Sequence, residues 1–356
     1  MSRSADTIRD ILSGKRRGFR ARLVRLLLFP MSHIWRSAVA MRNRLYDWKL
    51  RRVHQVDCRV ISVGNLTTGG TGKTPLVETL ARMLHADGVN VVVVSRGYGR
   101  KRGRKSDEQL LLGENLAEIP HVTDPDRVAA AREAIRKHNA EVVIMDDGFQ
   151  HRRLRRDLDI VTIDATNPFG YGHILPRGLL REPPKSLRRA DVAVITRSKL
   201  VPPQEPPRLE ATLREIAPAL LVVHAEEEVL GLRKPDGTML PAKNVREKHV
   251  VAFCGIGNPE GFLLTLTNLG ARVDAFFAFS DHHRYRKRDL DAVNAEAHIE
   301  NADMILTTQK DAVKIDAGFH WQQELLVVRI GCRITRGQDV LKERIDAVVR
   351  AKETAS

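Results

Sequence analysis

Cysteine is scarce in this sequence. Cys58, Cys254 and Cys332 are spread over 356 residues, with no CxxC pair and no Cys/His cluster at zinc spacing, which argues against a disulfide framework or a structural zinc site and fits a reducing compartment. Aromatic residues make up only 5% of the chain, and no stacking motif of a nucleic-acid reader occurs. No apolar run reaches the ~18 residues that span a bilayer, and no small-residue cleavage site follows the short apolar run near the start, so no signal peptide is expected. Acidic residues are the minority charge: 44 against 59 Lys and Arg, a net charge of +15. That excess invites an anionic partner, whether nucleic acid, lipid or phosphorylated substrate, and does not choose among them. An apolar fraction of 42% is ordinary for a soluble globular protein, and the length suggests about two domains.

The chain is organised around Val60 to Leu80, VISVGNLTTGGTGKTPLVETL. An apolar run ends in a loop with Gly64, Gly69, Gly70 and Gly72, then Lys73 and Thr74 open an amphipathic segment: strand, phosphate-cradling loop, helix. Glycine lets the backbone turn its N–H groups onto an anion at a helix N-terminus, the lysine supplies charge and the hydroxyl a magnesium ligand. Thr67 stands where the general pattern has glycine. Strands at Val91 to Ser95, Val142 to Met145, Ile160 to Asp164 and Val192 to Thr196 alternate with helical segments, one at Arg127 to His138, which predicts a parallel sheet with helices on both faces. The proline-rich VPPQEPPR from Val201 reads as punctuation, a hairpin at Glu228 to Leu240 as a bridge, and alternation then resumes. The expected division is 1–52, a basic N-terminal segment; 53–225, the phosphate-loop domain; 226–242, a hairpin linker; and 243–356, a smaller α/β domain.

The N-terminal segment holds Leu23 and Leu26 to Phe29 among arginines before Pro30. Ile34, Ala38, Met41, Leu45 and Trp48 then recur at helical spacing, with Arg36, Asn43 and Asp47 opposite. Two readings stand: a helix lying in a membrane interface, or one packed on its own domain with arginines in solvent.

Val142 to Asp147, VVIMDD, is a strand ending in two carboxylates, the place where a phosphate-loop protein holds magnesium against the nucleotide. Arg96 and Arg100 are able to clamp phosphates or to stand as surface charge. In FSDHH, two adjacent histidines point to different sides of an extended backbone, so at most one serves a site as a proton acceptor.

Six words together resemble the tetraacyldisaccharide 4'-kinases, the lipid A 4'-kinases: GNLTTGGTGKTP (Gly64 to Pro75), SRGYGRK (Ser95 to Lys101), DDGFQHRRLRRD (Asp146 to Asp157), LPRGLLREP (Leu175 to Pro183), FSDHH (Phe279 to His283) and TTQKDAVK (Thr307 to Lys314). The resemblance implies a P-loop fold and transfer of the γ-phosphoryl of ATP, with Mg2+, to the 4'-hydroxyl of an acylated glucosamine disaccharide 1-phosphate, giving lipid IVA. It implies action at the cytoplasmic face of the inner membrane; the interrupted N-terminal segment makes the expected attachment peripheral, and no nucleic acid and no obligate protein partner are expected. Carried over residue by residue, it makes Asp107 and His282 the catalytic pair, with Lys73 on the phosphates. Thr68, Gly69, Gly70, Thr71, Gly72, Lys73 and Thr74 hold the nucleotide, and Thr74, Asp146 and Asp147 the metal. Arg96, Tyr98, Arg127, Gln150, His151, Arg181 and Glu182 line the substrate. A rival reading is a membrane-attached P-loop ATPase switch of the partitioning type, which would have no use for FSDHH.

Overall fold

The computed structural model describes residues 10–97, 107–281, 283–316 and 318–351, with the side chains of Asp107 and Glu108 left aside. The uninterrupted apolar runs of β2 (Val91–Ser95), β4 (Val142–Asp146) and β6 (Val192–Thr196) are buried along their whole length, as is β5 (Leu158–Asp164). Parallel strands covered on both faces require that pattern. With β1 (Arg59–Asn65), β3 (His121–Thr123) and the start of β7 (Leu221–Arg233) they pair in the order β3, β2, β4, β1, β5, β6, β7, every pair parallel.

Alternate residues divide the sheet's two faces. Ile61, Val63, Val93 and Ile144 pack with Leu76, Leu80 and Leu84 of α2 (Lys73–Ala86). On the other face Val60, Val92, Val94 and Val143 pack with Val128, Ala131 and Ala134 of α4 (Arg127–His138). The carboxyl ends of β1, β4, β5 and β6 therefore share one edge, where α/β sheets bind ligands.

Residues 228–331, together with 107–111 at the start of α3 (Asp107–Asn115), make a second compact unit. Its strands β9 (His249–Cys254), β10 (Arg272–Ala278), β11 (Met304–Thr308) and β12 (Glu324–Arg336) pair in the order β10, β9, β11, β12, all parallel. They are joined by α6 (Pro259–Asn268), α7 (Lys287–Ile299) and the short α8 (Gln309–Ala312). The expected hairpin is present as the end of β7 against β8 (Met239–Leu240).

Three features differ from the linear reading. The proline cluster is not only a break: α5 (Glu205–Ile216) begins inside it, with Pro206 and Pro207 in its first turn, where a missing N–H costs nothing. Pro30 does not divide the N-terminal helix, and α1 (Phe19–Asp47) is one element with Pro30 inside. Residues 332–351 group with the first unit rather than the second, because Leu341 and Ile345 of α9 (Gln338–Arg350) are buried in the cluster that contains Ile61 and Leu76.

Candidate functional site

The loop from β1 to α2 is held from beneath by hydroxyls. Asn65 Nδ2 donates to Thr71 Oγ1 at 3.0 Å, Thr71 Oγ1 lies 2.7 Å from Thr162 Oγ1, and Thr196 Oγ1 donates to the Thr71 carbonyl at 3.2 Å. Thr71 is thereby buried as a support for the loop. Gly69 has φ +115°, a conformation open to glycine, and a Cβ added at Gly69 or Gly70 would meet nothing within 4 Å. The loop is an open cradle. Helix α2 begins at Lys73 with neither a side-chain cap nor an acidic residue in its first turn, so the N–H groups of that turn and the positive end of the helix dipole suit an anion. Thr68 and Thr74 are half-buried beside it.

The carboxylates of β4 stand next to this cradle. Asp146 is buried and pairs in register with Val63 of β1. Asp147, one residue on, has φ +54°, an uncommon conformation for a non-glycine residue and one that clusters at functional sites. Lys73 Nζ is 3.6 Å from Asp147 Oδ1, and Arg181 Nη1 donates to both carboxylate oxygens at 2.8 Å. Burial pushes this carboxyl up, but Lys73 and Arg181 hold it below the usual carboxylate range. Among the described residues no group of three or more His, Cys, Asp or Glu forms a closed metal cage. A pair of aspartates beside an anion cradle fits a magnesium ion, which takes one or two carboxylates and completes its shell with phosphate oxygens and water.

Arg181 belongs to a segment that links the cradle to α1. Arg181 N donates to the Leu66 carbonyl at 2.7 Å and Thr68 N to the Leu179 carbonyl at 2.7 Å, so LPRGLLREP runs beside the phosphate loop. Gln150 bridges the two, donating to the Asn65 carbonyl at 2.9 Å and accepting from Arg181 at 3.2 Å. Glu182 follows with a side chain at 0% exposure, paired with Arg42 at 2.7 Å and Arg189 at 2.8 Å and accepting from Asn43 at 3.1 Å. Its cations and the Asn43 amide hold its carboxyl down against the effect of burial. Glu182 thus grips α1 and Arg189, with no free face toward a ligand.

His151 is half-buried, and burial, reinforced by Arg127, pushes its pKa down to about 4. Arg127 is buried at the start of α4 and donates to the Asp124 carbonyl at 3.1 Å. Arg96 is exposed after β2. Tyr98, His282 and the Asp107 side chain lie outside the described residues.

Sequence reasoning missed Arg197. It follows β6 with φ +59° and donates to the Gly70 carbonyl at 2.9 Å, while pairing with Asp164 at 2.5 Å and Glu227 at 3.0 Å. Arg197 is thus a strut from the end of β6 to the phosphate loop. Its only sequence signal was a lone arginine after an apolar strand, and the carboxylates that fix it come from two neighbouring strands.

Residues 24–350 match the family described as LpxK, tetraacyldisaccharide-1-P 4'-kinase. A tetraacyldisaccharide 4'-kinase of Syntrophus aciditrophicus is 40% identical over 316 residues, covering 82% of this chain and 84% of that one. One of Anaeromyxobacter dehalogenans is 38% identical over 331 residues, 86% of each. The crystal structure of LpxK from Aquifex aeolicus in complex with ATP is similar with a TM-score of 0.74 at 30% identity, over 92% of this chain and 99% of that one. With an anion cradle, a paired carboxylate edge and a family match over nearly its whole length, the chain belongs to the tetraacyldisaccharide 4'-kinase family.

Proposed function

We infer that this protein transfers the γ-phosphoryl group of ATP to the 4'-hydroxyl of an acylated glucosamine disaccharide 1-phosphate, the 4'-kinase step of lipid A biosynthesis. The observation that carries it is the Lys73–Asp147–Arg181 group at the mouth of the open glycine cradle, in a chain that belongs to this family over residues 24–350. The partitioning-type ATPase is not favoured, because the family match extends through the second unit.

Magnesium, when bound, would supply charge neutralisation, and Thr74, Asp146 and Asp147 are the residues that would hold it. The N–H groups of Gly69 to Thr74 receive the phosphate oxygens. Lys73 meets the transferring phosphoryl, where positive charge counts most in the transition state. Gln150 and Arg181 keep the loop and Asp147 in one arrangement. On the acceptor side, Asp107 and His282 take the proton of a sugar hydroxyl that is a poor nucleophile when neutral. Support for that pairing is the family resemblance and the grouping of 107–111 with the unit that contains FSDHH. Arg96, Tyr98, Arg127 and His151 we assign to the substrate side on the resemblance. To Glu182 we give the positioning role that its buried contacts support.

The partner surface we propose is anionic lipid at the cytoplasmic face of the inner membrane. No helix among the described residues is long and apolar enough to cross a membrane. Helix α1 instead turns Phe19, Leu26, Leu27, Ile34 and Met41 outward, Phe19 at 81% and Ile34 at 72% exposure, among Arg20, Arg22, Arg36 and Arg44. An apolar face rimmed by arginine suits the headgroup boundary.

The test is incubation of the purified protein with γ-labelled ATP, magnesium and the acylated disaccharide 1-phosphate. Label on the 4'-position is the expected result. ATP hydrolysis with no phosphorylated acceptor would reject the kinase reading.

A further inference from the structure

TTQKDAVK is the one motif to which the mechanism above gives no work. Its aspartate, Asp311, lies in α8 with 0% exposure. Asp311 Oδ2 accepts from the Gly255 N–H at 2.9 Å and from Thr308 Oγ1 at 2.6 Å, and Oδ1 accepts from Lys314 Nζ at 2.7 Å. Lys314 is half-buried, its side chain 8% exposed, and lies over the Tyr285 ring at 5.5 Å. Taking two charges out of water is costly even when they pair, and replacing a buried ion pair by apolar residues of similar volume is often neutral or stabilising. The pair is therefore weak evidence of a role in stability alone.

The contacts show what it holds. Gly255 follows β9, and a Cβ there would come within 3.1 Å of Asp311 Oδ1 and of the Ser280 carbonyl and 3.0 Å of His283 Cβ. The FSDHH loop thus lies directly on the backbone that Asp311 fixes. Phe279 N donates to the Cys254 carbonyl at 2.8 Å and His283 N to the Ser280 carbonyl at 3.0 Å. His283 is spent on structure: its ring stacks on Phe279 at 4.7 Å, and its Nε2 is 3.0 Å from Asp289 Oδ2. His282 lies outside the described residues.

We propose that Asp311 is a positioning residue for the FSDHH loop: by fixing Gly255 and the end of β11 it sets the loop at Ser280 and His283, the sequence neighbourhood of His282, an inference that rests on the acceptor-side role given to His282 above. Misplacing a catalytic group by even 1 Å is able to cost about 100-fold in rate, whereas the nucleotide cradle belongs to the other unit. The effect belongs in kcat and not in the KM for ATP.

The experiment compares two charge-neutral double variants of the full chain, Asp311→Leu/Lys314→Met and Asp311→Asn/Lys314→Met, with wild type and His282→Ala. Only the asparagine retains an oxygen for Gly255 N–H. Expected for the leucine variant is a kcat lower by about 10-fold or more, an unchanged KM for ATP and faster amide hydrogen exchange over 279–285. The asparagine variant should recover most of both. A folded leucine variant with wild-type kcat, a lowered kcat without faster loop exchange, or an asparagine variant no better than leucine would each overturn the proposal. If the leucine variant does not fold, Thr308→Val takes its place, with the same direction expected and an unchanged kcat and loop exchange overturning it. A His282→Ala protein with wild-type kcat would instead reject the acceptor-side reading, while exchange in the double variants still reports whether Asp311 holds the loop.

Discussion

Asp147 is constrained in backbone and in charge together. Its φ of +54° aims the carboxylate from the end of β4 at Lys73 and Arg181, and against the upward push of burial those cations hold its carboxyl below the usual carboxylate range. Nearby His151 has been driven the other way, to a pKa of about 4 by burial and by Arg127. The unfolded chain takes up a proton on this histidine near pH 6.5, and the folded chain does so only near 4. His151 therefore contributes stability that is fully present above about pH 6.5 and lost as pH falls toward 4. Denaturant midpoints between pH 4 and 7 should fall with pH in wild type and fall less in His151→Gln, and parallel slopes would refute the assignment. The strand-end carboxylates were legible in VVIMDD because an apolar strand ending in acid is a local pattern. Arg197 was not, since its work depends on a left-handed residue meeting Asp164, Glu227 and the Gly70 carbonyl across strands that only the sheet brings together.

At the level of elements, α1 reverses the usual arrangement of an amphipathic helix. Its small and polar residues face the protein: Ala21, Ser32 and Val39 are buried, Asn43 reaches Glu182, and Asp47 pairs with Arg152 at 2.7 Å. The apolar periodicity was visible in the sequence, but not which side it faced, because the deciding partners lie about 140 residues away. Ser32 Oγ bonds the Ile174 carbonyl at 2.9 Å, and Trp35 Nε1 the Arg181 carbonyl at 3.3 Å. These side-on anchors also explain why Pro30, which removes one backbone hydrogen bond, leaves the helix whole. Glu182→Ala would leave the half-buried Arg189 without its carboxylate, a change that costs up to about 3–5 kcal/mol in fully buried pairs. Thermal unfolding should show the loss, and limited proteolysis should cut α1 more readily. An unchanged melting temperature would mean that Glu182 does not secure the helix. For the outer face, Leu26→Glu/Ile34→Glu leaves every anchor in place. Wild type should float with anionic vesicles, less as salt rises, and the double variant should stay in the soluble fraction. Equal flotation of the two would place membrane contact elsewhere.

Over the whole molecule, the alternation of apolar strands and helices was enough to foresee two parallel α/β units, because strands buried on both faces must be apolar throughout. The return of residues 332–351 to the first unit was beyond it. β12 is one unbroken run of extended residues, and nothing local marks Gly331 as the last residue of one unit and Cys332 as the first of the other. The first unit presents a cradle, two carboxylates and a lysine at the carboxyl edge of its sheet, and the central claim is that this edge drives transfer of phosphate to the lipid acceptor. Lys73 is the direct handle on that claim, since no other lysine meets the Asp147 carboxylate among the described residues. Measured as 4'-phosphate formed per enzyme, Lys73→Ala should lose about two to three orders of magnitude in kcat while unfolding at the wild-type temperature. A well-folded Lys73→Ala protein that phosphorylates the acceptor at near the wild-type rate would contradict it.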